Sequence, residues 1–305
     1  MRVRVDTWDP DYGASSESDM PATEGEVVID VERPEADWAP IAVAPGTARE
    51  PVVLFVDGVR RTDALGWIDD DAPCTFASYA AGVVRCDAER ASVVEVEVDR
   101  GIASASPALR ELATRAGTFR PIAVREGTPE QLNTAVQAAM TGVEVRVSFA
   151  ARAVDAHSLL VVDGPLRERR HVAHAVGMVK RHHVRYLGAL DRVVGELAPG
   201  QRTPVFLVPS RWSKYSWYVR LPGPDAGPWS GIVRVEAPGD LTVADAVALA
   251  ERSTATLPRY ASAPHKDGRA PQNLYPIGGL ERALRRRLGD PGVVYRALRR
   301  AAVAA

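Results

Sequence analysis

Val52-Val53-Leu54-Phe55-Val56-Asp57-Gly58 and, far downstream, Ser158-Leu159-Leu160-Val161-Val162-Asp163-Gly164 share one grammar: a short unbroken apolar run closed by Asp-Gly. A run that is apolar at every position has no solvent face, so each predicts a strand covered on both sides. After the first run, residues 64–68, 75–86 and 92–98 are rich in β-branched and aromatic residues and separated by polar turns. They predict an antiparallel meander. Residues 106–117 read as a helix. A longer helix opens at Thr128-Pro129-Glu130-Gln131, with Thr128 as N-cap, Pro at the first position and Gln131 closing a capping box. Its apolar stripe of Leu132, Val136, Met140, Val143, Val147, Ala150 and Val154 keeps a 3.6-residue rhythm. A helical crossover places the second apolar strand parallel to a strand of the same sheet. If the two are neighbours, Asp57 and Asp163 emerge at one end of the sheet. Glu144, beside the stripe, overhangs that end.

Beyond Asp163 the pattern predicts a strand at 174–179, a helix at 184–197, strands at 205–209, 217–221 and 232–236, and helices at 242–255 and 279–288. Residues 259–276 form a Pro-, Gly- and Ala-rich loop. The expected fold is α/β: a mixed sheet, antiparallel meander plus parallel strands, flanked by helices. Residues 1–50 are expected to be an acidic N-terminal arm, partly ordered, with one short strand at 26–31. Residues 51–305 are expected to form one domain.

The 305 residues are 46% hydrophobic and 25% charged, which excludes a wholly disordered chain, collagen and a disulfide scaffold. No stretch approaches ~18 uninterrupted apolar residues, and Met1–Asp6 has no apolar signal-peptide core. Cys74 and Cys86 are too few for a zinc site built from Cys alone. The expectation is a soluble, cytoplasmic protein with no membrane partner. The chain has no Gly-x-x-x-x-Gly-Lys-Ser/Thr loop, no Gly-x-Gly-x-x-Gly fingerprint and no Gly-x-Ser-x-Gly elbow. It is therefore not expected to hydrolyse ATP, bind a dinucleotide or act as a serine hydrolase.

The net charge of -1 hides a segregation. Residues 1–50 hold 4 basic and 12 acidic residues, whereas 151–220 hold 12 and 5, and 258–305 hold 10 and 3. Basic blocks on an acidic frame point to a polyanion-binding face. Arg211-Trp212-Ser213-Lys214-Tyr215 interleaves cations with aromatics on which bases stack without sequence readout. Arg60 and Arg61 follow the first Asp-Gly, Lys180 and Arg181 follow the predicted 174–179 strand, and Arg259, His265, Lys266 and Arg269 populate the late loop. All except Lys180 are candidate DNA contacts. Lys180 is a candidate catalytic residue that neutralises a scissile phosphate or orients water. Five of six histidines lie within 157–183, without zinc spacing, and read as surface or secondary contacts.

Three clustered carboxylates repel one another, and a metal cation relieves that repulsion. Hard oxygen ligands select Mg²⁺ or Mn²⁺, and a pair of such ions ~3.5–4 Å apart serves phosphodiester cleavage. The order of Asp on the first strand, a meander, Glu on the helix and Asp on the next parallel strand resembles a ribonuclease-H-like fold. More narrowly the chain resembles the NurA nuclease family over roughly residues 50–290. The carriers are Phe55-Val56-Asp57-Gly58, Glu144 before Val162-Asp163-Gly164-Pro165-Leu166, Gly177-Met178-Val179-Lys180, and Asn273-Leu274-Tyr275-Pro276-Ile277.

The resemblance implies Asp57, Glu144 and Asp163 as ligands of Mn²⁺ or Mg²⁺, two ions in all. It also implies a homodimeric DNA nuclease with 5'-to-3' exonuclease and single-strand endonuclease activity, acting in DNA end resection and repair beside a HerA-type hexameric ATPase. Val293, Val294, Leu298 and Val303 are candidate apolar dimer positions. Two positions depart from the family's pattern. Val59 stands where Ser is frequent, and Leu280-Glu281 stands where Ala-His is frequent, so Glu281 is either a substitute ligand or an ordinary helix residue. These departures motivate the alternative of an inactive adaptor on the same fold that binds DNA or a translocase. A glycosidase using paired carboxylates fits the segregated positive charge poorly.

Overall fold

The computed structural model describes residues 3–5, 26–180, 185–223, 229–266 and 270–304. Its elements are β1 (Val3–Val5), β2 (Ile41–Ala42), β3 (Val53–Ile68), β4 (Ala72–Cys86), β5 (Ala91–Ser104), β6 (Leu112–Thr114), β7 (Gly117–Ala123), α1 (Pro129–Val154), β8 (Leu159–Asp163), β9 (Ala175–Val179), α2 (Asp191–Glu196), β10 (Gln201–Arg202), β11 (Phe206–Val208), β12 (Lys214–Arg220), β13 (Ile232–Pro238), α3 (Val243–Thr256), α4 (Tyr275–Arg287) and α5 (Pro291–Ala304). The strands form one mixed sheet in the order β2-β10-β12-β13-β9-β8-β3-β4-β5-β7-β6, with β1 on β3 and β11 on β12. The meander β3-β4-β5 is antiparallel, and β8 runs parallel to both β3 and β9.

Pleating divides the central strands between two cores. Val53 and Phe55 of β3, Leu159 and Val161 of β8, and Val176 and Met178 of β9 pack on one face with Ala246 and Leu249 of α3 and Ile277, Leu280 and Leu284 of α4. Leu54, Val56, Leu160 and Val162 point to the other face, where Leu132, Val136, Met140, Val143 and Val147 of α1 cover them. The unbroken apolar runs therefore reflect a sheet sandwiched between helices. Thr128 caps α1 as expected, accepting from the Gln131 N–H, but the Gln131 carbonyl takes the Glu126 N–H rather than closing back on Thr128.

Four predicted elements differ. Residues 64–68 are not a separate strand of the meander but the continuation of the first apolar run in β3, which crosses residues 59–63 without a turn. Residues 106–117 are a turn leading into the β6–β7 hairpin, not a helix. Gly117 adopts φ 126°, and the Thr114 hydroxyl donates to its carbonyl at 2.7 Å, which closes a tight reversal. Of 184–197, the described part is helical only at Gly188–Leu190 and Asp191–Glu196, and Gly188 itself takes φ 53°. The short strand at 26–31 reduces to one bridge, Val28 to Leu207.

Residues 26–50 nevertheless lie against the sheet. Trp38 is 3% exposed in a cluster with Phe206 and Tyr218, and Glu32 pairs bidentately with buried Arg202 at 2.7 and 2.8 Å. Burial alone would raise the Glu32 carboxyl, but the Arg202 guanidinium holds it below its ordinary range. At the far end of the meander, Val294 and Leu298 of α5 pack with Phe76 and Phe119. Those two candidate dimer positions are thus core residues, while Val293 and Val303 are exposed. Among the described residues, no helix is long and apolar enough to cross a membrane.

Candidate active site

The parallel register of β3 and β8 pairs Val56 with Val162, so Asp57 and Asp163 come next on adjacent strands. Alternation then gives each side chain a face. Asp57 and Asp163 continue the parity of Phe55 and Val161 and face α4. Lys180 continues the parity of Met178 on β9. Gly58 has the opposite parity, toward α1.

This pleat argument explains which carboxylates meet. Oxygen atoms of Asp57, Asp163 and Glu281 all lie within 4.8 Å of one another. Glu281 is on α4, the helix on the Asp57 face. Glu144 approaches from α1 on the other face, and its Oε1 lies where a Cβ on Gly58 would stand. Gly58 is thus a position where a side chain would displace Glu144. The other Glu144 oxygen pairs with the Arg169 guanidinium, which also donates to the Pro165 carbonyl at 2.6 Å. Both side chains of that pair are buried, at 5% and 7% exposure. Lys180 Nζ donates to Asp163 Oδ2 and to Asn273 Oδ1, each at 2.6 Å.

Asp57 Oδ1 accepts the Gly58 N–H at 2.8 Å, while Oδ2 is buried with no hydrogen-bond partner. Burial, then the charges of Asp163 and Glu144, push the Asp57 carboxyl well above its ordinary range, against the pull of Lys180. Burial also raises the Glu144 carboxyl, opposed by Arg169. A buried carboxylate with one orphaned oxygen, clustered with two more carboxylates, suits a hard divalent cation. The residues present therefore fit Mn²⁺ or Mg²⁺. Asp57, Glu144 and Asp163 open onto a cleft of about 700 Å³ that Arg167, Arg169 and Lys180 also line.

The candidate DNA contacts divide. Arg60 is tethered to Asn133 of α1. Arg61 spends its guanidinium on Asp63 at 2.8 Å and on the Gly289 carbonyl at 2.7 Å, so it locks the end of α4 rather than facing a ligand. Tyr215, expected to face substrate, is 7% exposed, because β12 is covered on both faces: Tyr215, Trp217 and Val219 pack in one core and Tyr218 in another. Trp212 is 36% exposed beneath Arg170, whose guanidinium carbon lies 3.7 Å from the ring centre, with that of Arg211 at 5.3 Å. Lys214 Nζ lies 3.0 Å from Glu236. Arg259, His265 and Lys266 are exposed, and Lys266 Nζ sits 5.0 Å from the Tyr275 ring. Arg181 and Arg269 lie outside the described residues.

Sequence reasoning passed over Arg169 and the Lys180–Asn273 contact. The signal for Arg169 was the basic run Arg167-Glu168-Arg169-Arg170 just after Asp163. The two departures from the family pattern now have places. Val59 is 4% exposed in the core, and Glu281 joins the aspartates.

No curated protein matches the chain by sequence. Among solved structures, the NurA nuclease from Sulfolobus solfataricus is similar over 82% of this chain and 84% of that one, at 10% identity and a TM-score of 0.50. The catalytic domain of human endonuclease V is a looser likeness, at 16% identity over 81% of this chain and 87% of that one, with a TM-score of 0.34. The NurA domain family matches residues 51–283, from the start of the first Asp-Gly strand through Glu281. With that match across most of its length, this chain belongs to the NurA family of nucleases.

Proposed function

We propose that the chain is a divalent-metal-dependent deoxyribonuclease, cutting single strands and resecting DNA ends 5'-to-3'. The observation that carries this reading is the carboxylate cluster of Asp57, Asp163 and Glu281, with oxygens within 4.8 Å of one another and one buried Asp57 oxygen left without a partner. Asp57, Asp163 and Glu281 would hold one Mn²⁺ or Mg²⁺, with Glu144 the remaining carboxylate of the cleft available to a second. Such ions, when bound, activate water and stabilise charge on the phosphoryl oxygens.

The chain's own residues do the rest. Lys180 orients Asp163 and spends two of its three N–H donors on Asp163 and Asn273. The third is available to a non-bridging phosphate oxygen. Arg169 opposes the upward push of burial on Glu144 and pins one of its oxygens in the cleft wall. Burial and the neighbouring carboxylates hold the Asp57 carboxyl well above its ordinary range in the metal-free chain, so cation binding there is coupled to proton release. The exposed Arg211–Trp212 segment supports binding of a single strand. With no nucleotide-hydrolysis motif in the sequence, movement along DNA falls to a partner, for which a HerA-type hexameric ATPase is proposed. A homodimer is proposed with it.

Calorimetric titration with Mn²⁺ tests the site. The wild type is expected to bind with proton release, and affinity is expected to fall as pH drops through the raised Asp57 range. Glu281→Gln is expected to weaken binding at least ~tenfold, about 1.4 kcal/mol. Absence of Mn²⁺ binding by the wild type, or unchanged affinity in Glu281→Gln, would contradict this ligand set.

A further inference from the structure

Beside the carboxylate cleft is a second, smaller cavity of about 40 Å³, lined by Arg167, Arg170, Trp212, Lys214, Arg234 and Glu236 among others. Pro165 and Arg167 line both cavities, so the two are adjoining parts of one surface. The chain from Asp163 to Arg167 connects them directly.

The charge of this cavity is unbalanced. Four cations face one carboxylate, and that carboxylate is already committed. Glu236 accepts from Arg234 at 2.6 Å, lies 3.0 Å from Lys214 Nζ and takes the Leu166 N–H at 3.3 Å. Arg167 and Arg170 make no ion pair among the described residues. Arg234 is 0% exposed, yet its Nε and Nη1 have no hydrogen-bond acceptor among the described residues. Its guanidinium carbon lies 4.8 Å from the Tyr186 ring centre, and its fixed charge adds to that of the other three cations around the cavity. The space suits about three water-sized groups, the scale of the free oxygens of one phosphate. At its rim Trp212 is 36% exposed, its indole held under the Arg170 guanidinium at 3.7 Å. An indole with a guanidinium over it is a cationic stacking surface, on which nucleobases settle without sequence preference.

We propose that this cavity is a nucleotide subsite beside the reacting centre, seating one phosphate of the bound strand among Arg167, Arg170 and Lys214 with its base on Trp212. The proposal rests on the nuclease reading and adds a holding site to it. The phosphate is either the strand's terminal monoester or a backbone diester, and the two sources are separable.

The experiment is fluorescence anisotropy of the full chain with labelled single-stranded oligonucleotides, 5'-phosphorylated or 5'-hydroxyl, in EDTA. Wild type is compared with Arg170→Ala, Trp212→Ala and Lys214→Ala, and thermal melting checks that each is folded. Arg170→Ala and Trp212→Ala are the decisive pair, because Lys214→Ala also unsettles Glu236. Each is expected to weaken binding at least fivefold. A loss confined to the phosphorylated strand identifies the terminal monoester, and an equal loss on both identifies the backbone diester. Affinities within twofold of wild type in Arg170→Ala and Trp212→Ala would overturn the subsite. Cleavage by Asp57→Asn, run in parallel in Mn²⁺, reads the nuclease proposal separately. Intact cleavage there with weakened binding in Arg170→Ala would sink the metal-centre reading and leave the subsite standing.

Discussion

Asp57→Asn is expected to abolish metal-dependent strand cleavage and, in the same protein, to raise the melting temperature of the metal-free chain. The two effects have one cause. Asp57 is 7% exposed, shares its surroundings with Asp163, Glu281 and Glu144, and has an oxygen with no partner. Its folded pKa is raised while its unfolded pKa is ordinary. Folding therefore takes up a proton between those two values, and stability falls as pH rises through that window. Above it, the metal-free chain carries the whole penalty. An amide of the same shape removes the charge and is a poor ligand. At neutral pH the gain is expected to be about 1 kcal/mol or more, roughly 2–4 °C for a domain of this size. Below about pH 4, where the unfolded carboxyl is protonated as well, the gain disappears. Scanning calorimetry in EDTA at two pH values checks it. A lower melting temperature in Asp57→Asn at neutral pH would show that the carboxylate is structurally favourable.

Arg169→Met is the largest expected loss of stability. The Arg169–Glu144 pair is buried on both sides, and Glu144 has α1 behind it and Gly58 beneath it. Removing one partner of such a pair leaves an uncompensated buried charge and costs about 3–5 kcal/mol. Protonation of Glu144 limits that cost, because burial already favours its neutral form. The destabilisation is therefore expected to shrink as pH is lowered. In the double variant Arg169→Met, Glu144→Gln it is expected to fall to a small fraction of the single-variant value at neutral pH. Urea denaturation of the four proteins of this cycle measures the coupling directly. Additive effects would mean that the pair does not bear on stability.

The parts of this structure that were legible in the sequence are those governed by a short period. The unbroken apolar runs ending at Asp57 and Asp163 announced buried parallel strands, and β8 does lie parallel to β3 with the two aspartates at the same end. The stripe of α1 was equally plain, since its buried residues repeat every three or four positions. Period alone did not reveal which helix covers which face of the sheet. That choice decides that Glu281 of α4, and not Glu144 of α1, stands within 4.8 Å of both aspartates. The parity was there to read: Val53, Phe55 and Asp57 on one face, Leu54, Val56 and Gly58 on the other. It has no meaning until the helices are placed.

Arg169 was hidden for a different reason. It sits in a 3₁₀ turn, Arg167–His171, reached through Gly164 at φ 106° and Arg167 at φ 37°. Such irregular backbone has no repeating signature. Residues 106–117 misled because Leu109 and Leu112 have helical spacing, yet both fill the cluster around Phe119 from a turn and a short strand. Tyr215 was not readable from alternation, because both faces of this strand are covered: Tyr215, Trp217 and Val219 are buried on one, Ser216 and Tyr218 on the other.

The most direct measurement is cleavage of end-labelled single-stranded DNA by the purified wild-type chain, in Mn²⁺, in Mg²⁺ and in EDTA. The account predicts loss of full-length strand in at least one of the two metals and none in EDTA, with a 5' label released first as mononucleotide. Undiminished cleavage in EDTA, or no cleavage in either metal even with a HerA-type ATPase added, would contradict it.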